Sequence, residues 1–366
     1  MTRSLAKDPA RRCLTLAEWP PVDRERWLAA LQPGDLLEPG GSRAHFRPAT
    51  NHKVRVGYGR WLAGLQHRGA LDAAAEPGSR ITPAAVGAWL AEMQQVNATL
   101  TQISRLEELY QAARVMDPSA DWSWLRRLAG RVRARHQPAR DKRARLVGAE
   151  DLFALGCDLM AKAAGTPRQR AVQYRDGLAI ALLAARPLRR RNLAGLTLGT
   201  SLVQRDAAWW IVLAAAETKT HAPLEMPWPE ALIPMLETWL AVHRPTLAGQ
   251  RGRWHRAAGA ALWLSADGSP MTGMALYDRI ISATRAAFGQ GINPHLFRDC
   301  AATSVAIDDP AQIGIASQLL GHRSQATTER YYNQAHSLEA ARSMQAIMTG
   351  LRRGTILPAD KAEEPR

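Results

Sequence analysis

Between Leu202 and Met226, the stretch "LVQRDAAWWIVLAAAETKTHAPLEM" interrupts a chain whose pattern is helical almost everywhere else. Three short β-prone runs, 202–204, 209–215 and 222–226, are separated by Arg205-Asp206 and by Glu217-Thr218-Lys219-Thr220. Short runs divided by turn residues predict a small antiparallel sheet. After it the pattern is read as helical to the end. The expected fold class is therefore mainly α with one small sheet.

Helix starts are marked by local chemistry. Thr82-Pro83 opens "ITPAAVGAWLAEM", whose apolar stripe is Val86, Trp89, Leu90 and Met93, and Thr-Pro recurs at 166–167. Val54, Tyr58, Trp61, Leu62 and Leu65 fall on one face of an earlier helix. Thr99 and Gln102 match a capping box ahead of Ile103, Leu106, Tyr110 and Ala113. Further starts are expected at Glu150, Thr272, Asn293-Pro294 and Asp309-Pro310. No internal repeat is visible.

The chain of 366 residues, 46% hydrophobic, is long enough for two cores, and the reading divides it near residue 140. Residues 1–44 read as an N-terminal extension and 45–136 as a helical domain. A basic linker follows at 137–149, then a second domain at 150–350 and a polar tail at 351–366. Across the division, residues 126–145 carry nine cations against one aspartate: Arg126, Arg127, Arg131, Arg133, Arg135, Arg140, Lys142, Arg143 and Arg145. Such a run is either a solvated linker or a strap across phosphates.

A formal net charge of +15 points to a polyanionic partner, with nucleic acid favoured over an anionic membrane surface. Biased arginine usage is the plainer source of that charge. No apolar run of bilayer-spanning length and no signal-peptide pattern is seen, so a soluble cytoplasmic protein is expected. Cys13, Cys157 and Cys300 are too few and too scattered for a disulfide framework or a zinc ribbon.

The stretch from Asn293 to Tyr332 concentrates chemistry. His295 and Arg298, three apart on a helix, share a face and can grip one anion. Leu320-Gly321-His322 reads as a helix stop that aims the histidine, and Tyr331 follows nine residues later. Upstream, "RPLRRRNLAGL" supplies arginines and Lys219 sits at the predicted hairpin tip. Taken singly, each of these residues has an ordinary role as cap, solvated charge or core. Taken together, they suit attack of a tyrosine on a phosphodiester. Arginines would stabilise charge on the phosphorane, a histidine would serve as base toward a phenol of pKa about 10, and a lysine would protonate the departing 5′ oxygen. Phosphotyrosine stores the bond energy, so neither nucleotide cofactor nor metal is needed.

In the order of these residues and the final spacing, the chain resembles the tyrosine recombinases of the phage-integrase type. That family carries an early arginine, a hairpin lysine, His-x-x-Arg, Leu-Gly-His and a tyrosine nine residues on. The resemblance implies Tyr331 as nucleophile, Arg189 and Arg298 as phosphate clamps, and Lys219 as general acid. It further implies His295 as base or proton shuttle and His322 as a hydrogen-bond donor to phosphate. Arg189 is chosen over Arg186, Arg190 and Arg191 because it alone places Leu193 and Leu196 in the family's downstream apolar positions. Tyr332 is assigned to packing.

Asn192 stands where that family usually has an acidic residue, and Pro187 where glycine is common. The amide supplies no charge to orient the cations, so a lowered turnover is expected. The resemblance also implies a C-shaped clamp of two domains around double-stranded DNA and a homo-tetramer on two recombination sites. It leaves room for accessory DNA-bending proteins or a partner recombinase, and implies a nucleoid-associated location with no membrane. Two alternatives stay open: a type IB topoisomerase-like or resolving enzyme, and a non-catalytic DNA-binding protein on the same scaffold. Beyond the tyrosine, Ala341, Met344, Met348 and Leu351 form an apolar helical stripe that either folds back on its own domain or, as the resemblance implies, docks into a neighbouring protomer.

Overall fold

The computed structural model describes residues 12–137, 145–218, 221–250 and 256–308. They form two compact units that divide after Arg140.

The first unit is all helical: α1 (Pro21–Leu31), α2 (Pro48–His67), α3 (Pro83–Val96), α4 (Thr99–Met116) and α5 (Ser123–Ala134). The α2 stripe Val54, Tyr58, Trp61, Leu62 and Leu65 is buried as its spacing predicts. Thr82 caps α3, its hydroxyl accepting from the Ala85 amide. Thr99 does not cap α4. Ala98 takes that place, and Gln102 turns its buried amide to the Asn97 carbonyl instead.

The described part of the 1–44 extension is not a polar appendage. Leu14, Trp19 and Trp27 enter the same core as Trp61, Leu106 and Met116, and Trp19 meets Tyr58 edge-on at 5.0 Å between centroids. Leaving three such large apolar side chains in water would be costly, so the chain folds back over α2. Within this core, Asp23 accepts from the Tyr58 hydroxyl at 2.5 Å and pairs with Arg80. Burial, reinforced by the Asp23 charge, raises the Tyr58 hydroxyl pKa well above its ordinary value.

In the second unit, α6 (Ala149–Ala161) packs along α7 (Pro167–Ala185), the latter opened by a Thr166–Gln169 capping box. They meet where both are glycine. A Cβ on Gly156 would lie 2.7 Å from the Gly177 carbonyl oxygen, and one on Gly177 would lie 2.6 Å from the Gly156 carbonyl oxygen. From Leu178 to Leu183 α7 is wholly buried, and it carries an ion network at its centre. Arg175 donates twice to Asp176 Oδ1 and once to the Leu264 carbonyl, while Arg279 closes on Asp176 Oδ2. These bonds offset the desolvation of charges this deep.

The sheet has order β1-β2-β3, all antiparallel, with β1 (Leu202–Arg205), β2 (Ala208–Leu213) and β3 (Leu224–Pro227). The register pairs Leu202 with Ile211 and Ile211 with Met226, so one face carries the apolar residues onto the core. Asp206 and Ala207, both at positive φ, form the two-residue turn between β1 and β2.

The rest of the unit comprises α8 (Arg190–Ala194, which precedes the sheet in sequence), α9 (Ile233–Thr238), a π-helical turn at Trp239–His243, α10 (Arg244–Ala248), α11 (Gly273–Phe288) and α12 (Pro294–Asp308), with the π turn, α10, α11 and α12 packed on α7. One departure from the helical expectation lies at 260–271. There Ala261 bridges to Thr197 and Leu264 to Pro270, and Leu262 donates to Leu196. The segment has no periodic pattern because it is a backbone-bonded rail under the α8 region. The expected helix start at Asp309-Pro310, the stripe from Ala341 to Leu351 and the polar tail lie outside the described residues. No helix among the described residues is long and apolar enough to cross a membrane.

Candidate active site

Pro187 and Leu188 end the turn that follows α7, both buried, and hand the chain to Arg189 in an extended conformation. Arg189 is the N-cap of α8, its carbonyl accepting from Leu193. Leu193 and Leu196 are buried beneath, and the indole of Trp263 donates to the Leu193 carbonyl at 2.7 Å. This anchoring fixes what each arginine of "RPLRRRN" can do. Arg186 is half-buried and occupied, donating to the Pro227 carbonyl at the end of β3. Arg190 lies 5.5 Å from the Tyr277 ring centroid in a cation-π contact. Arg191 is exposed. Arg189 is partly buried, and its guanidinium makes no hydrogen bond or ion pair among the described residues. A partly buried guanidinium fork with no such partner among the described residues can take an oxyanion.

The second arginine arrives from α12. Asn293 starts that helix through its side-chain oxygen, which accepts from His295 and Leu296 at 3.0 and 2.9 Å. Leu296, Phe297 and Cys300 are buried in the core, leaving His295 exposed one turn ahead of Arg298. Arg298 is buried and donates through Nη1 to the carbonyl of Pro187. The bond brings α12 to the segment that carries Arg189. Burial pushes the Cys300 thiol up to about 11, which suits a packing residue and not a nucleophile.

The loop between β2 and β3 completes the described part of the site. Glu217 closes it by accepting from the Ala214 amide at 2.9 Å, and the buried Thr218 hydroxyl donates to the Ala222 carbonyl at 2.8 Å. Asn192 on α8 donates its side-chain amide to the Glu217 carbonyl at 3.1 Å. Lys219 follows in this loop and lies outside the described residues, as do His322 and Tyr331. Among the described residues, no three His, Cys, Asp or Glu side chains gather as a metal site.

The basic segment divides differently from the sequence reading. Residues up to Ala134 belong to α5, whose Leu125 and Ala129 are buried in the first unit, so the segment is not a linker from 126 onward. Arg126, Arg127, Arg131 and Arg133 are exposed on that helix, and Arg135 just past its end. Arg127 bonds Ser123 and Arg133 pairs with Glu107. Arg145 is committed to its own unit, donating to the Gly291 carbonyl ahead of α12. Arg140, Lys142 and Arg143 lie outside the described residues.

Two parts of the site escape sequence reasoning: the Pro187 carbonyl as a dock for Arg298, and the Asn192 tie to Glu217. The first has no side-chain signal at all. The second is hinted at by the amide that replaces the usual acidic residue.

Residues 158–337 match the model of the phage integrase family. Over that segment the chain belongs to the family. Over 97 residues it is 37% identical to tyrosine recombinase XerC of Bifidobacterium longum subsp. infantis, a match covering 26% of this chain and 27% of that relative's length. XerC of Bifidobacterium longum matches over the same extent. Among solved structures, the post-cleavage complex of the XerH site-specific recombinase with a palindromic difH substrate aligns with a TM-score of 0.57. The identity is 14%, over 94% of this chain and 98% of that one. The pre-cleavage XerH complex with difH gives 0.53 at 13% identity, over 80% and 79%. At such identities the likeness is one of fold. The family match spans α12 and the arginine segment of α8, as well as the positions of His322 and Tyr331.

Proposed function

We propose that this protein is a site-specific DNA recombinase that cleaves and rejoins duplex strands through a covalent 3′-phosphotyrosine intermediate. The observation that carries the reading is the docking of Arg298 on the Pro187 carbonyl, which brings a buried guanidinium to the chain segment of Arg189. Two such forks suit the nonbridging oxygens of one phosphate and the charge that grows on them in the transition state. In the proposed step the Tyr331 oxygen bonds to phosphorus, its proton passing to His295. The bond to the 5′ oxygen breaks, and that oxygen takes a proton from Lys219 while His322 donates to a phosphate oxygen. Religation reverses the step with a 5′ hydroxyl as nucleophile. The bond energy is kept in the phosphotyrosine, so the cycle needs no nucleotide, and the cations do the work of a metal.

The exposed arginines of α5, with Arg140, Lys142 and Arg143, are proposed to contact the DNA backbone, and the first unit to serve as a DNA-binding domain. The proposed working form is a tetramer on two sites in the bacterial nucleoid. A topoisomerase-like enzyme would religate the original strand, and a binding protein would form no adduct.

The test uses duplexes from the DNA flanking the gene, nicked so that the 5′ fragment escapes after cleavage. Covalent adducts with the parent protein and with Tyr332→Phe, and none with Tyr331→Phe, support the reading; recombinant products on paired sites distinguish it from topoisomerase action. Loss of the adduct in Tyr332→Phe and its retention in Tyr331→Phe would move the nucleophile by one residue, and the absence of any adduct would leave a DNA-binding protein.

A further inference from the structure

We infer that Asn192 is a positioning residue whose side-chain amide holds the β2–β3 loop against the helix that follows Arg189, and that a carboxylate there could not do so. The inference rests on the recombinase reading and concerns the same site.

The bond runs from Asn192 Nδ2 to the Glu217 carbonyl over 3.1 Å. A backbone carbonyl only accepts, so the nitrogen of the amide must face it, and the orientation of Asn192 is set by chemistry. An ionised aspartate would bring two acceptor oxygens against a third. Asn192 is 7% exposed, so the misfit would have no water to relieve it. The amide is therefore more than the family's acidic residue without its charge: it makes a bond that the ionised acid cannot make.

What it holds is a closed loop. The Glu217 carboxylate accepts from Ala214 and the Thr218 hydroxyl donates to Ala222, so the described ends of the loop are braced on themselves. Such a brace sets the loop's shape but not its place relative to the arginines. Asn192 supplies that second constraint, because it sits on α8 three residues after Arg189 and its own neighbour Leu193 is locked under Trp263. Lys219 follows Glu217 by two residues, a step of at most ~7 Å along the chain. A tie at Glu217 thus limits where the lysine can be relative to the scissile phosphate. In this role Asn192 acts through Glu217 and not on the substrate.

The test separates the departing oxygen from the phosphate. The parent, Asn192→Asp, Asn192→Ala and Lys219→Ala are each assayed for covalent adduct on two nicked duplexes that carry the protein's own cleavage site. One has the natural bridging 5′ oxygen; the other has sulfur in that place. A thiolate leaves without a proton, whereas an alkoxide needs one. The expected result is that Asn192→Asp slows the oxygen duplex at least ~10-fold, in line with a misplaced general acid, while the sulfur duplex stays within ~3-fold of the parent. Lys219→Ala should show the same split. Asn192→Ala, which adds no buried charge, carries the comparison if Asn192→Asp does not fold.

Equal slowing on both duplexes would overturn the inference, placing Asn192 with the phosphate clamp or with folding alone. Unchanged rates on both would also overturn it. A parent protein that forms no adduct on either duplex would instead sink the recombinase reading.

Discussion

Arg298 reaches across 111 residues of sequence to donate to the carbonyl of Pro187, two positions ahead of Arg189. Its guanidinium is a rigid planar fork whose paired donors match the oxygens of a phosphate. Lysine has no such rigid fork. Arg298→Lys is therefore expected to cleave at least ~100-fold more slowly than the parent, close to Arg298→Ala, with DNA affinity falling far less. Arg189→Ala should join that class. Arg190→Ala, which removes only a side chain resting on Tyr277, should cleave nearly normally. Single-turnover adduct formation on the nicked duplex decides it, and a slow Arg190→Ala beside a normal Arg189→Ala would shift the clamp by one residue.

The arginines of α5 and its end differ in their commitments. Changing Arg126, Arg127, Arg131 and Arg135 to glutamine should weaken binding to all duplexes alike and flatten the salt dependence by ~0.9 slope unit for each phosphate no longer neutralised. Arg133→Gln should change the slope least, because Glu107 already neutralises it. A salt titration with an unchanged slope in the fourfold variant would make α5 a solvated face.

At the centre of the second unit, Asp176 satisfies both Arg175 and Arg279. Asp176→Ala leaves the Arg175 guanidinium buried beside a single carbonyl and should cost ~3–5 kcal/mol in denaturant unfolding. Arg279→Ala should cost far less, since that side chain is half exposed and its departure leaves the Arg175–Asp176 pair intact. Equal losses for the two variants would contradict this division.

In the first unit, the hydroxyl pKa of Tyr58 is raised by burial and by Asp23, so the folded state favours the neutral phenol. Its contribution to stability is complete below the unfolded pKa of about 10 and is lost as pH rises toward the higher folded value. Alkaline unfolding of the first unit should accordingly steepen above pH ~10 in the parent and flatten in Tyr58→Phe. A parallel course of the two curves would assign the alkaline loss to other groups.

Features set by a few neighbouring residues were the legible ones. Thr82, Thr166, Thr272 and Asn293 all cap the helices expected of them, because a side-chain oxygen and a backbone amide three residues on need no tertiary context. Thr99 shows the limit of that logic: Gln102 finds the Asn97 carbonyl and the cap falls one residue sooner, on Ala98. The strands were legible within one or two residues.

Long-range backbone acceptors were not. Pro187, Glu217, Leu264 and Gly291 present carbonyls that Arg298, Asn192, Arg175 and Arg145 find only once the chain is folded. The early residues around Trp19 read as an extension, and their burial depends on an α2 surface that no local pattern records. Of the six residues expected at the site, Arg189, His295 and Arg298 fall among those described. His295 and Arg298 share α12, and Arg298 meets the Arg189 segment at Pro187.

The meeting of Gly156 and Gly177 sets a datum for all of this. Each glycine faces the other's carbonyl oxygen there, so the main chain itself limits the height of α7 above α6 and leaves little room to absorb a change. The chain leaves α7 at Ala185 and reaches Arg189 four residues later, too short a path to lose a displacement of the helix. Small side chains that lift α7 at this contact would move the arginine before they melted the fold. A shift of ~1 Å is enough to cost ~100-fold in rate, so tolerance at these two glycines would be limited by turnover first and by stability second.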